Sequence, residues 1–339
     1  MENIDWKNLP FGYYPTDYNV RCYGRNGQWG EIEVSSSVFI SIHMAATALH
    51  YGQEAFEGMK AFRGVDGKVR LFRWKENAKR FRTSADGIMM QEIPDELFFS
   101  AIDKVVRLNA KYIPPYGTGA ALYIRPLLIG SGPQVGVKPA NEYLFVVFVG
   151  PVGPYFKEGF NPVTVELVHD FDRAAPLGTG HIKVGGNYAA SLRPADRAHK
   201  DGYSSVLFLD AKEKKFIDEA GPANFFGIRN NTYITPQSRT ILPSITNMSI
   251  EALAKDLGLK IERRPVPMEE LELFEEAGAC GTAAIISPIG KIVDRETRKV
   301  YQYGEKAGEI STKLYHNLKA IQEGVAEDKY GWTTVLEGL

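Results

Sequence analysis

Residues 150–162 read GPVGPYFKEGFNP, a stretch dense in glycine and proline, which punctuate regular structure. An apolar run, EYLFVVFV, precedes it and another, VTVELV, follows. Two strand-like runs separated by such a break do not read as one continuous element. At 339 residues the chain also has room for two cores, on a prior of about 150 residues each. The expectation is a smaller N-terminal α/β domain over 1–150, a linker at 151–161 and a larger C-terminal domain over 162–339. Tyr155 lies in that linker, and domain boundaries often hold ligands.

Hydrophobic periodicity supplies the coarse elements. ENAKRFRTSADGI and DELFFSAIDKVVRLNAKYI read as helices; in the second, Leu97, Ile102, Val105, Val106 and Leu108 can share one face. ALYIRPLLIG and YLFVVFV read as buried strands before the break, and SSVLFLD, NFFGIR and TYIT as strands after it. NMSIEALAKDLG reads as a helix with Ile250, Leu253 and Leu257 inward and Gly258 as its stop. A long helix over EKAGEISTKLYHNLKAIQEG lies near the C-terminus. Strands and helices do not strictly alternate, so the predicted class is mixed α/β (α+β) in two domains, not one doubly wound sheet.

A formal net charge of −1 offers no electrostatic case for nucleic acid or an anionic membrane as partner. The two cysteines, Cys22 and Cys280, have no metal or CxxC spacing, and the six histidines form no zinc-like pair, so no metal is expected. MENIDWKNLP has no basic segment ahead of an apolar run, and YLFVVFVGPVG is too short for a bilayer, which needs about 20 residues. A cytoplasmic location is the expectation.

The chemistry-bearing stretch is GTGHIKVGGNYAAS, residues 178–191. Lys183 lies among four glycines there, with Tyr188 five residues on. It lacks the Ser/Thr that a Walker A lysine needs. It suits a loop lysine beside flexible glycines, and equally a partly buried amine fit for Schiff-base chemistry. Gly185 and Gly186 would then let a planar cofactor approach the backbone. Such a lysine implies pyridoxal phosphate, which also needs a phosphate site, a carboxylate for the ring nitrogen and a donor for the phenolic oxygen. FIDEAGPANFFGI offers Asp218 and Glu219 at the end of an apolar strand. ILPSIT places Ile245 and Thr246 before a helix, where free N–H groups and the positive dipole end suit a dianion, although Thr246 also suits a plain N-cap. Arg73, Arg80 and Arg82 are candidate phosphate cations. The small-residue turn at Gly281, Thr282 and Ala283 can hold an anion on its N–H groups.

Together HYGQEAFEGMKAFR, VRLFRWKENAKRF, ALYIRPLLIG, HIKVGGNYAAS, IDEAGPANFFG, ILPSIT and GTAAIISPI resemble the successive signatures of branched-chain-amino-acid aminotransferases. These are pyridoxal-phosphate enzymes of fold type IV. The resemblance runs from about residue 30 to the C-terminus, and YIRPLLIG favours this family over its D-amino-acid and aminodeoxychorismate relatives. It implies that Lys183 binds the cofactor and carries the proton, that Glu219 faces the ring nitrogen and that Tyr188 bonds the phenolic oxygen. Arg80 would hold the phosphate with the Ile245 and Thr246 amides and Thr282. The Thr282–Ala283 turn would take the substrate carboxylate.

Tyr51, Phe56, Tyr123 and Tyr155 would line the side-chain pocket, and Arg125 would receive the second carboxylate of glutamate or 2-oxoglutarate; a buried structural ion pair is the other reading of Arg125. Val135 and Val137 would enter the neighbouring subunit's pocket, implying a homodimer. Ala284 and Ser287 stand where some animal relatives carry a CxxC pair, which excludes that thiol switch. The implied reaction is transamination of leucine, isoleucine and valine with 2-oxoglutarate. A pyridoxal-phosphate lyase of the aminodeoxychorismate type and a non-enzymatic phosphate-ligand binder are the alternatives.

Overall fold

The structure is a computed structural model that describes residues 4–155 and 160–339. Linker positions 156–159 lie outside the described residues. The chain falls into two compact units. The first takes Met1–Pro154, Ile182–Gly185 and Ala320–Leu339; the second takes Tyr155–His181 and Gly186–Lys319.

The first unit is built on an antiparallel sheet. Its strands are β1 (Asn19–Arg25), β2 (Gln28–Trp29), β3 (Glu33–Ser35), β4 (Glu54–Phe56), β5 (Met59–Arg63), β6 (Val69–Phe72), β7 (Ala121–Gly130) and β8 (Glu142–Val152). Their order runs β6-β5-β7-β8-β1-β2, with β4 added to β7 and β3 to β1. Helix α1 (Thr47–Tyr51) is short, while α2 (Trp74–Gly87) and α3 (Asp95–Leu108) pack against the sheet. Their Phe81 and Phe98 rings lie 5.9 Å apart, and Phe81 is 5.9 Å from Phe145 of β8. Helical period places Phe98, Ala101, Ile102, Val105 and Val106 inward on α3, leaving the expected Leu97 and Leu108 half-buried at the margins of that face. In β7 the two-residue period buries Leu122, Ile124 and Leu128, and leaves Tyr123, Arg125 and Leu127 half-buried on the other face.

The second unit closes a sheet on itself. Its strands are β9 (Val163–Val168), β10 (Ser205–Leu209), β11 (Ile217–Ala220), β12 (Ala223–Arg229), β13 (Thr232–Pro236), β14 (Lys260–Arg264), β15 (Glu276–Gly281), β16 (Ile285–Asp294) and β17 (Val300–Gln302). The order β11-β10-β9-β16-β15-β12 returns to its start because β11 also pairs with β12. Closure removes two sheet edges at once. Val165, Leu167, Leu207, Phe225 and Ile292 belong to its core. The helices are α4 (Gly185–Ala189), α5 (Leu192–Lys200), α6 (Ile245–Asp256) and α7 (Glu309–Gln322). The last strand, β18 (Thr333–Val335), pairs with β6 of the first unit's sheet.

Two local findings refine the sequence reading. Helix α6 is capped by Ser244, whose hydroxyl accepts from the Asn247 N–H at 3.2 Å, so Thr246 is a first-turn residue and not the cap. Gly258 stops that helix with φ +81°, a conformation other residues enter at a cost. Segments 182–185 and 320–339 belong to the first unit, tied to it by pairing that local sequence does not reveal.

Gly227, central in β12, has no room for a methyl: an added Cβ would lie 2.5 Å from the Phe274 ring. Gly227→Ala should therefore cost about 1–3 kcal/mol of stability in urea unfolding; an unchanged midpoint would count against this packing.

Candidate active site

In the first unit the site is built from β4 outward. The Lys183 segment runs beside this strand: the Phe56 N–H donates to the Lys183 carbonyl at 3.1 Å, and Ala55 pairs with Val184. Ser84 of α2 accepts the Lys183 N–H at 2.9 Å. The backbone of Lys183 is thus held on both sides, and its half-buried side chain places Nζ 4.8 Å from the centre of the Phe56 ring.

Glu57 follows on the same stretch and is fully buried. Arg80 approaches it with two nitrogens, Nε at 2.7 Å from Oε1 and Nη2 at 2.8 Å from Oε2. Asn77 donates to Oε2 at 2.7 Å and the Gly58 N–H at 3.1 Å. Burial pushes the Glu57 carboxyl up, but Arg80, Lys183 and Asn77 outweigh it and hold the group below the usual carboxylate range. Of the three arginines considered for a phosphate, Arg80 is the one aligned in this way. Arg73 instead pairs with Glu76 at 3.1 Å, and Arg82 pairs with Asp95.

Arg125 lies with its guanidinium 4.8 Å from the Phe56 ring centre and 5.2 Å from that of Tyr123, and donates to the Tyr123 hydroxyl at 3.0 Å. Its Nε is buried without a hydrogen-bond partner among the described residues. Phe56, Tyr123, Arg125 and Lys183 therefore form one cluster. Tyr51 belongs to another, donating its hydroxyl to the Val135 carbonyl. At Gly185 the Cβ direction is filled by the Glu54 carboxylate, so only a glycine fits there. Around Gly186 no described atom lies within 4 Å of an added Cβ.

In the second unit β11 carries Asp218 and Glu219, both buried. Glu219 Oε1 accepts from the Leu242 N–H at 2.7 Å and from Asn224 at 3.2 Å. Arg173, a buried residue that the sequence reading missed, stands 3.6 Å from Glu219 and 3.4 Å from Asp218. Burial works against its charge, but the two carboxylates bind its proton more tightly than usual, and it also interacts with Tyr188. Ile245 and Thr246 open α6 just after the Ser244 cap, where main-chain N–H groups have no intrahelical acceptor. Thr282 and Ala283 form the turn between β15 and β16 and are half-buried. Tyr155 is exposed. Arg173 gave no sequence signal because it lies in a loop, HDFDRAAP, without periodicity. Glu57 had one, a charge inside the apolar run EAFEGMKAF.

The first unit carries a lysine amine and an arginine fixed by a buried glutamate, and the second a capped helix start and a buried carboxylate; these residue types fit the demands of pyridoxal phosphate. On this mixed α/β framework they define a fold type IV pyridoxal-phosphate enzyme. Residues 54–292 match the amino-transferase class IV family. The chain is 45% identical to the branched-chain-amino-acid aminotransferase of Haemophilus influenzae, covering 99% of this chain and 100% of that one. It is 47% identical to that of Helicobacter pylori, over 98% of each chain. Among solved structures, the Escherichia coli branched-chain amino acid aminotransferase aligns with a TM-score of 0.80 at 28% identity, over 95% of this chain and 99% of the other. The T.th. branched-chain amino acid aminotransferase complexed with N-(5'-phosphopyridoxyl)-L-glutamate aligns at 0.77 and 25% identity, over 96% of this chain and 100% of that one. The chain belongs to the class IV aminotransferases, in the branched-chain-amino-acid group.

Glu57→Ala should remove the buried pair with Arg80 and cost about 3–5 kcal/mol in urea unfolding. Because the Glu57 carboxyl is depressed in the folded state, its contribution is present above the unfolded value near ~4.3 and is lost as pH falls through the folded one. Glu57→Gln should therefore flatten the acid limb of the stability curve below about pH 4; an unaltered limb would contradict the pairing.

Proposed function

We propose that Lys183, Arg80 and Glu219 hold one pyridoxal phosphate molecule, with Lys183 as its covalent anchor and the proton carrier. The reaction is the family's transamination of leucine, isoleucine and valine. The observation that carries the assignment is the Lys183 segment itself, clamped by β4 and α2 with its amine over Phe56, 2.9 Å at its N–H from Ser84.

The cofactor supplies an electron sink for the bond to hydrogen at the substrate's α-carbon. Every other task falls to the chain. Arg80, fixed by Glu57 through two nitrogens, would hold the phosphate with the Ile245 and Thr246 amides and Thr282. Glu219, braced by Leu242 and Asn224, would meet the ring nitrogen, and Tyr188 would meet the phenolic oxygen. The Thr282–Ala283 turn takes the α-carboxylate. Lys183 Nζ would be the base that takes the α-proton and holds it for return. The second half-reaction, with 2-oxoglutarate, runs the same steps in reverse.

One pocket must accept both an apolar side chain and a charged one. Phe56 and Tyr123 offer apolar rings, with Tyr51 and Tyr155 as the further wall residues. Arg125 suits the distal carboxylate of glutamate, since its guanidinium rests on the two rings and its Nε has no partner among the described residues. The Glu54 carboxyl, pushed up by burial, interacts electrostatically with the same guanidinium.

A homodimer is the proposed assembly. Val135 and Val137 are 86% and 83% exposed, Phe39 and Met44 81% each. Hydrogen bonds join the segments that carry them: Tyr51 to Val135, Gln134 N–H to the Ala45 carbonyl at 2.9 Å, and His50 to the Met44 carbonyl at 2.9 Å. An apolar patch of this kind calls for cover, and a second copy brings Val135 and Val137 to the neighbouring pocket. No described helix is long and apolar enough to cross a membrane, and a cytoplasmic location accords with the two free, buried cysteines.

Leucine with 2-oxoglutarate should yield glutamate. Borohydride should fix the cofactor to Lys183, and Lys183→Ala should abolish turnover with the fold retained; surviving transamination in that variant would overturn its role. Sedimentation at micromolar concentration should give twice the chain mass, and a monomer would refute the assembly.

A further inference from the structure

Asp218 has no part in the reading above, yet it is buried beside Glu219 and shares its cation. Consecutive residues of a strand send their side chains to opposite faces. Arg173 bridges the two, with Nε 3.4 Å from Asp218 Oδ2 and Nη1 3.6 Å from Glu219 Oε2. Asp218 is anchored independently: the Thr240 hydroxyl donates to Oδ1 at 2.5 Å, and Ser238 lies 3.4 Å from the same oxygen. Arg173 is fixed further by the carbonyls of Gly180, at 3.3 Å, and Thr240. Exposure of 6% for Arg173 and 3% for each carboxylate removes most solvent screening. Tyr188 also interacts with this cluster through Arg173, and Cys280 through Glu219; burial keeps the Cys280 thiol protonated.

We propose that Asp218 is a positioning residue that, by balancing part of the Arg173 charge, raises the proton affinity of the cofactor that Glu219 holds. This rests on Glu219 facing the ring nitrogen. Two carboxylates surround one guanidinium, and the excess negative charge favours a protonated ring. Without it, Arg173 acts on Glu219 undiminished and disfavours every protonated form of the cofactor nearby. The effect is electrostatic and has a sign: removing the carboxylate and removing the guanidinium must push in opposite directions.

The test is a pH titration of the visible absorption band of the holoenzyme. Asp218→Asn, which keeps the shape, should lower its midpoint by about one pH unit. Arg173→Met should raise it, and Arg173→Lys, which keeps the charge, should leave it near the wild-type value. Loss of packing alone would move the Asn and Met variants in the same direction. An unmoved or raised midpoint in Asp218→Asn overturns the proposal. If that variant does not fold, the Arg173 pair decides: a Met midpoint that is not raised above the Lys one overturns it. A wild-type protein in which borohydride fixes no cofactor on Lys183 refutes the functional reading and this inference with it. A normal wild-type band with an unmoved Asp218→Asn midpoint refutes this inference alone.

Discussion

The Glu57 carboxylate has no contact with solvent, and the Arg80 guanidinium makes that position tolerable. A buried charge without a partner costs several kcal/mol, so this pair forms with the fold or the local fold fails. It also ties three pieces of chain together. Glu57 lies between β4 and β5, Arg80 and Asn77 lie on α2, and α2 also supplies Ser84 to the Lys183 backbone. β4 flanks the lysine on its other side through Phe56 and Val184. One ion pair thereby fixes both the cation proposed for the phosphate and the frame that holds the amine.

The second unit solves a similar problem in a different way. Its six-strand closure leaves β11 between β10 and β12, so Asp218 and Glu219 are buried whatever their charge. Arg173 comes from a loop between β9 and α4 to compensate both. Backbone N–H groups and hydroxyls complete the shell around the two carboxylates. Helix α7 shows the same economy. Glu276 of β15 accepts from the Ile310 and Ser311 N–H groups at 2.9 and 2.8 Å, capping a helix start more than thirty residues downstream.

Much of this was legible locally. The strands ALYIRPLLIG and NFFGIR and the helix in DELFFSAIDKVVRL follow from period and composition, because burying one face of a regular element leaves a regular pattern. The start of α6 was misplaced by two residues, since Ser244 and Thr246 are equally good caps by residue type and only the backbone path selects Ser244. The need for glycine at 185 comes from the Glu54 carboxylate in its Cβ direction, which is there because β4 is added to the Lys183 segment by a pairing that no local pattern encodes.

The sequence by itself determined the residue types of the site, a lysine among glycines, an acid at a strand end and small residues before a helix, because reactivity belongs to side chains. It also determined the family, because the motifs occur together and in order. Only the tertiary structure decided which arginine is aligned and which cation compensates Asp218 and Glu219. It also decided that segments 182–185 and 320–339 join the first unit. These are choices of partner between residues far apart in the chain. They are made by the cost of leaving a charge unpaired or a strand edge open, a cost that exists only once the chain has closed around them.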